Sequence, residues 1–501
     1  MSDRPSGRIR PEGAAILIVF LAGLLLRLRQ YLTGRSLWLD EAMLALNIVN
    51  RGFADLFKPL AYDQGAPIGF LLVEKIFNVF LGRNEYALRL FPFFLGLLSL
   101  WLFYLLLKRF THGTGLVLAL ALFAFNPYLI YYSSEVKQYI SDVFVAISLL
   151  LIAAHYFERP SRKGLGVLTI AGLLALWLSH PSLFILAGIG TTLFLLHLQK
   201  RDFASLGLVT GMGVAWLANV GLLYTLTLAD LRNNSFMKEY WREAFAPMPP
   251  WSNIGWYWDA FRGNADSLLA ITFAPLLLFL MMLGGLAILF KQKRHSAVMV
   301  AWMLVFTLLA SSLGLYPSSE RMVLFLAPVM ILLIGVALGH VVQSLRGRPV
   351  ISSVVALLAG IYLFYDALPL TVEQFISPKY FEHIRPTMDY LRGAWKEGDT
   401  LYVSYGGAPA FEYYAPMYGL EDIDYTAGER EEYENPARMI QRLETQKGQE
   451  RVWVLFSHVY EMEGFNEHDF LFEYLKENGT RRRAFVEPGT SVYLYLFDLN
   501  E

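Results

Sequence analysis

Apolar runs recur from Ala14 to Leu370, separated by short basic or polar stretches, and this rhythm leaves the chain few architectures. A bilayer offers its hydrocarbon no hydrogen-bonding partner for the backbone, so a spanning segment must satisfy its own amides as a helix or a closed barrel. A helix needs about 20 apolar residues to cross. The runs predict about eleven spans: Ala14–Tyr31, Leu88–Leu107, Gly115–Tyr132, Ile140–Phe157, Gly164–Leu178, Ser182–Leu198, Ser205–Leu228, Leu268–Phe290, Ala297–Leu313, Met322–Val342 and Val350–Leu368. Only 17% of residues are charged, against about a quarter in soluble proteins. Past Leu370 the composition becomes ordinary, rich in Glu, Arg, Lys and Tyr. The expected class is therefore mainly α, a polytopic transmembrane helical bundle over residues 1–370 with a soluble α/β domain over residues 371–501.

Cytoplasmic loops collect Lys and Arg. Lys108 and Arg109, then Arg159, Arg162 and Lys163, then Lys200 and Arg201, then Lys291, Lys293 and Arg294, then Arg346 and Arg348 follow every second expected span. The alternation predicts a cytoplasmic N-terminus and, with an odd number of spans, a C-terminal domain on the opposite, outer face. Ala14–Leu26 follows Arg4, Arg8 and Arg10 and is short enough for a secretory signal core, but no small-residue cleavage site follows it, and it reads as a retained first span. Two outer loops are long, Leu32–Arg89 and Ala229–Ser267. Within the first, Ile68–Leu81 carries Glu74 and Lys75 and reads as a helix lying in the outer interface.

The formal net charge of −1 gives no basic surface for nucleic acid, and the absence of cysteine excludes disulfides and thiolate metal sites. In the C-terminal domain Thr400–Tyr405, Arg451–Phe456 and Ser491–Phe497 read as strands, and Pro386–Trp395, Pro436–Lys447 and Asp469–Lys476 as helices. Gly406–Tyr414 reads as a packed turn before an aromatic run, or as the border of a substrate.

Chemistry concentrates at the outer ends of the spans. Leu37-Trp38-Leu39-Asp40-Glu41 puts two carboxylates among apolar neighbours just past the first span. Ionisable groups near hydrocarbon are costly and tend to be functional. Burial and mutual repulsion raise a carboxylate's pKa, which suits proton transfer. The plain alternative is a solvated pair at a helix start. Adjacent helical residues point about 100° apart, so one of the two faces a site and the other a supporting partner. Glu135, Lys137 and Tyr139 lie at the outer end of the third span. In a helix Glu135 and Tyr139 would share a face without Lys137. Lys137 and Arg321 are rare outer cations that could hold a phosphate, and Arg89 at the start of the second span could do the same; headgroup contacts are the alternative. Asp63 and Gln64 are candidate acceptor contacts. His180, between the fifth and sixth spans, has no second His at metal-ligand spacing. The assortment fits acid–base chemistry on a substrate bearing a phosphate. Nucleotide-sugars are confined to the cytoplasm, so a glycosyl donor used at this face would arrive on a lipid carrier.

Leu37–Glu41 with Ala42, then Pro67, then Gly82 with Leu88-Arg89-Leu90, resembles the polyprenyl-phosphate-sugar-dependent glycosyltransferases of the GT-C superfamily, in particular the bacterial protein-mannosyltransferase and aminoarabinose-transferase group. Glu135–Tyr139 is similar to that group's Glu-x-Arg-x-Tyr stretch, with Lys137 at the Arg position, and Tyr316–Arg321 before Pro328 also fits. The resemblance covers about Ser36 to Val342. It implies a multi-pass enzyme of the bacterial inner membrane that inverts the anomeric centre. Asp40 would be the general base, Glu41 would orient it or the acceptor, and Lys137, Arg321 or Arg89 would stabilise the leaving phosphate. Glu135, Tyr139, Asp63, Gln64 and His180 are candidate substrate contacts. The co-substrate would be a polyprenyl-phosphate sugar, with no metal or other cofactor, and the acceptor a protein, glycolipid or glycan. A transporter or flippase of a lipid-linked sugar is the alternative function. It would be expected to show repeated halves and polar groups at mid-membrane, whereas the candidate residues cluster at one surface. A scaffold with a membrane anchor would need far fewer spans.

Overall fold

A computed structural model describes residues 11–228, 235–378, 380–462 and 464–500; Arg4, Arg8, Arg10 and residues 229–234 of the second long loop lie outside them. The membrane portion runs through α1 (Pro11–Tyr31), α2 (Leu39–Asn50), α3 (Ile68–Leu81), α4 (Glu85–Phe110), α5 (Thr114–Ala124), α6 (Pro127–Tyr132), α7 (Tyr139–Glu158), α8 (Arg162–Leu178), α9 (Ser182–Gln199) and α10 (Phe203–Leu223). It continues through α11 (Ser235–Tyr240), α12 (Ile254–Leu269), α13 (Pro275–Gln292), α14 (Arg294–Ser312), α15 (Ala327–Ser344), α16 (Pro349–Phe364) and α17 (Ala367–Ile376).

Helices stand at each expected apolar run. Among the described residues seven are long and apolar enough to cross a membrane, and the α16–α17 pair, bent by 54°, makes an eighth if counted as one span. The protein is a multi-pass membrane protein. Besides α1, which is not among the seven, and the bent α16–α17 pair, three expected spans depart from the simple form. Gly115–Tyr132 is two helices, because Asn126 accepts the Leu129 N–H at 2.9 Å and caps α6, with Pro127 in the first helical position. α8 has 17 residues, just under a full crossing. Leu268–Phe290 is divided between the end of α12 and α13, which starts at Pro275 after left-handed Ala270 and Ala274.

Small residues set a close helix contact. A Cβ on Gly115 of α5 would lie 2.4 Å from the Gly335 carbonyl of α15, and one on Gly339 would meet Thr111 Oγ1 at 2.3 Å, so the Gly335…Gly339 pair lets two backbones touch. Arg27 of α1 is buried without an acidic partner among the described residues, yet its guanidinium donates to the carbonyls of Gly23, Phe123 and Ala124. The last two are at the C-terminal end of α5, where the helix dipole favours a cation. α3 has 14 residues, too few to cross, and exposes Val79 and Phe80 while burying Glu74 and Lys75.

The C-terminal portion adds α18 (Ile384–Ala394), β1 (Thr400–Val403), α19 (Ala408–Tyr418), β2 (Tyr425–Ala427), α20 (Ala437–Glu444), β3 (Val452–Phe456), the short β4 (Glu461–Met462) and β5 (Phe465–Asn466), α21 (Glu467–Asn478), β6 (Thr480–Val486) and β7 (Tyr493–Asp498). Five strands pair in the order β2-β1-β3-β7-β6, parallel through β3 and antiparallel beyond it. Every residue of β3 is buried, as in a central strand covered on both faces. Leu401, Val403, Trp453, Leu455 and Leu494 join the core of the helical bundle, together with α18 and α19. Tyr402, Val454, Phe456 and Phe497 pack on Met439, Leu443, Leu471 and Leu475 of α20 and α21. The three expected strands and three expected helices are all present. Gly406–Tyr414 is largely helix α19 rather than a turn, and the edge strand β6 escaped the pattern because Arg481, Arg482 and Arg483 break its alternation.

Candidate active site

Asp40 and Glu41 occupy the first turn of α2, where unpaired backbone N–H groups favour negative charge. The angular separation of neighbours on a helix sends them into different surroundings. The Asp40 side chain is 20% exposed and the Glu41 side chain is enclosed at 0%.

Glu41 is held by three hydrogen bonds and one longer ion contact. Arg89 grips it in a fork, Nε on Oε1 at 2.9 Å and Nη2 on Oε2 at 2.5 Å. Arg35 stands 3.8 Å from Oε1, and the Val136 N–H donates to the same oxygen at 2.8 Å. Burial alone would raise the Glu41 pKa, but Arg89 and Arg35 bring it below the usual carboxylate range. Arg89 also donates to the Arg35 carbonyl at 2.6 Å and is 2% exposed. The guanidinium considered for a phosphate is thus enclosed against Glu41 and sits beneath the site.

Asp40 has a different set. Lys137 Nζ is 2.9 Å from Oδ1, and Arg321 Nη2 is 3.5 Å from Oδ2. Gln64 bridges the first pair: its Nε2 donates to Asp40 at 3.3 Å and its Oε1 accepts from Lys137 at 2.6 Å. Burial pushes the Asp40 carboxyl up, while Lys137 and Arg321 outweigh it and hold it below the ordinary value. Arg321 is surrounded by the rings of Trp38, Trp241 and Tyr139 at 5.7, 5.8 and 5.9 Å, a cation–π enclosure that fixes its charge beside Asp40.

Glu135–Gln138 is a run of bends and turn between α6 and α7, not a helix, so the shared face expected for Glu135 and Tyr139 does not arise. The cap at Asn126 ends α5 early and lets the chain turn back here, bringing Lys137 onto Asp40. Glu135 is 1% exposed; Trp38 Nε1 donates to one oxygen at 2.9 Å, and among the described residues nothing engages the other. Burial, with help from Glu41, pushes its carboxyl up to about 7.

No protein-family model matches the chain, and no curated protein does. Solved structures do. ArnT from Cupriavidus metallidurans in the apo state superposes with TM-score 0.54 at 14% identity, over 96% of this chain and 97% of that one. The same protein bound to undecaprenyl phosphate gives TM-score 0.52 at 14% identity, over 96% and 97%. The Archaeoglobus fulgidus oligosaccharyltransferase in complex with Zn and sulfate gives 0.54 at 15% identity, over 88% of this chain and 68% of that one. The chain has the GT-C fold.

Within this GT-C fold the remaining candidates stand apart from Asp40. Asp63 forms an ion pair with Arg430 of the C-terminal domain. His180 lies in the turn between α8 and α9, with no polar side-chain contact to the Asp40 cluster among the described residues. A cavity of about 180 Å³ opens beside Gln64 and is lined by Leu56, Leu60, Ala66, Leu71 and Thr227. No group of three or more His, Asp and Glu side chains among the described residues is arranged to hold a metal ion.

Sequence reasoning missed the contribution of the C-terminal domain. Tyr414 Oη accepts the Leu37 N–H at 2.8 Å and donates to Glu85 at 2.8 Å. Ser36 Oγ lies 2.9 Å from His383 Nδ1, and Glu382 Oε2 accepts the Leu39 N–H at 2.7 Å. Arg35 was also missed. It is a cation in the loop just before Asp40, and that position was the available signal.

Proposed function

We propose that this protein is a membrane glycosyltransferase that moves a sugar from a polyprenyl-phosphate donor to an acceptor hydroxyl, with inversion, on the outer face of the bacterial inner membrane. The observation that carries the reading is Asp40, partly exposed and ringed by Lys137, Gln64 and Arg321. A carboxylate between two cations is a poor base while they neutralise it. A phosphate entering the site competes for the same cations, frees Asp40 and strengthens it as a base beside the group that is to leave. The acceptor O–H then gives its proton to Asp40 as its oxygen bonds to the anomeric carbon. The bond from that carbon to the phosphate oxygen breaks, and the electron pair departs with the phosphate, countered by Lys137 and Arg321. The reading assigns that countercharge to side chains rather than to a metal or cofactor. Glu41 and Arg89 become positioning residues rather than substrate contacts. Support for a lipid carrier comes from the fold shared with ArnT, which has been solved with undecaprenyl phosphate, at 14% identity. The acceptor, a protein, glycolipid or glycan, meets the site under the C-terminal domain.

The deciding assay follows consumption of a panel of polyprenyl-phosphate sugars, with total membrane extract as acceptor, by the wild type and Asp40→Asn. Consumption that depends on Asp40 is expected and would name the sugar. Folded protein that consumes none of a broad panel would move the reading to a transporter. A tag after Glu501 should be reachable from outside the intact cytoplasmic membrane; one reachable only after permeabilisation would overturn the orientation.

A further inference from the structure

Trp38 has a basic neighbour from each half of the molecule. Arg321 lies over its ring at 5.7 Å, and the imidazole of His458, from the C-terminal domain, is 6.3 Å away at a 40° tilt. His458 follows β3 and its backbone takes φ +52°, a conformation that side-chain-bearing residues adopt at some cost. It is kept there by Glu382, whose Oε1 is 2.5 Å from His458 Nδ1 while its Oε2 accepts the Leu39 N–H at the start of α2. One carboxylate therefore secures both the helix that carries Asp40 and the imidazole beside it. No hydrogen bond engages His458 Nε2 among the described residues, and the side chain is 38% exposed.

A carboxylate on one ring nitrogen favours the imidazolium and leaves the other N–H to donate. The charged groups facing His458 are Glu382 before α18, Asp40 of α2 and Glu467 of α21. Burial opposes protonation, but these carboxylates raise the imidazole above its ordinary value. Resting on the transferase reading above, we infer that His458 is a third cation of the phosphate site, donating Nε2–H to a phosphate oxygen of the lipid donor, and that Glu382 is the positioning residue that aims it. Arg321 and His458 beside one indole, with Lys137 on the far carboxylate oxygen of Asp40, give a phosphate three donors from three separate segments of chain.

The test measures binding of undecaprenyl phosphate to the full chain in nanodiscs across the pH range around neutrality. Variants are His458→Gln, His458→Arg, Glu382→Gln and Lys137→Ala. The phosphate's own titration is common to all, so the ratio of wild-type to variant affinity is the readout. His458→Gln is expected to bind about tenfold more weakly on the acid side, the loss of one charge-assisted hydrogen bond, and the ratio should close toward one as pH rises past the raised imidazole pKa. His458→Arg should restore the affinity and hold it to alkaline pH, and Glu382→Gln should move the closing point to lower pH. A purely structural role would give a ratio that does not vary with pH. That result, or unchanged binding in His458→Gln while Lys137→Ala binds weakly, overturns the inference and leaves the transferase reading standing. Wild type that binds no undecaprenyl phosphate at any pH overturns both.

Discussion

The backbone N–H of Val136 donates to Glu41 Oε1 at 2.8 Å, so the neighbour of Asp40 holds the neighbour of Lys137. Two short segments far apart in the chain are locked edge to edge, and the exposed pair, Asp40 with Lys137 at 2.9 Å, inherits its spacing from the enclosed one.

Glu41→Gln removes the carboxylate that Arg89 and Arg35 share in the interior. Removing one partner of such a pair costs about 3–5 kcal/mol. Thermal unfolding in detergent should show a clear fall in midpoint. Donor affinity in whatever remains folded should also drop, because the Val136 anchor weakens. An unchanged midpoint would refute the positioning role.

Lys137 is nearly enclosed, but Asp40 keeps Arg321 as a second cation, so Lys137→Ala should still fold. Loss of a charge-assisted contact to phosphate predicts donor affinity about tenfold weaker. Lys137→Arg should recover part of it. Unaltered affinity and turnover in Lys137→Ala would remove Lys137 from the phosphate site.

The acid limb of kcat/KM reports Asp40 in the free enzyme. Burial raises its pKa, but the Lys137 and Arg321 charges outweigh burial, so the limb is expected below the ordinary aspartate value of about 3.9. In Lys137→Ala one lowering charge is gone and the limb moves to higher pH. A limb that stays in place, or moves down, would argue that another group titrates there.

Glu135 works in the opposite direction. Its folded pKa of about 7 lies above the unfolded value, so the folded state holds a proton that the unfolded state has released. Stability then falls as pH rises from about 4.5 to 7. Glu135→Gln abolishes this slope, and the variant should gain stability relative to wild type at pH 8 and not at pH 4. Parallel stability curves for the two proteins would contradict the assignment.

Much of this was legible in the sequence. The apolar rhythm located the helices because a spanning segment must be apolar along its whole length, and rare charges near the helix ends marked Asp40, Lys137 and Arg321. Breaks inside the spans were harder to see. Asn126-Pro127 is a capping pair within an apolar run, and apolar composition hid the turn it makes. The division of labour between Asp40 and Glu41 was predicted only as a difference in facing, since the fork from Arg89 depends on how α4 packs. Glu382, Tyr414 and His458 were illegible: their contacts with residues 36–39 join distant parts of the chain, and no local pattern encodes that meeting.

The hydrogen bonds that the Leu37 and Leu39 N–H groups donate to Tyr414 and Glu382 also bear on biogenesis. Both acceptors follow α16 in the chain, so a polypeptide ending with α16 carries Asp40 on a helix whose first turn lacks them. On the proposed function, competence therefore comes only when the C-terminal domain has been made and has closed over α2.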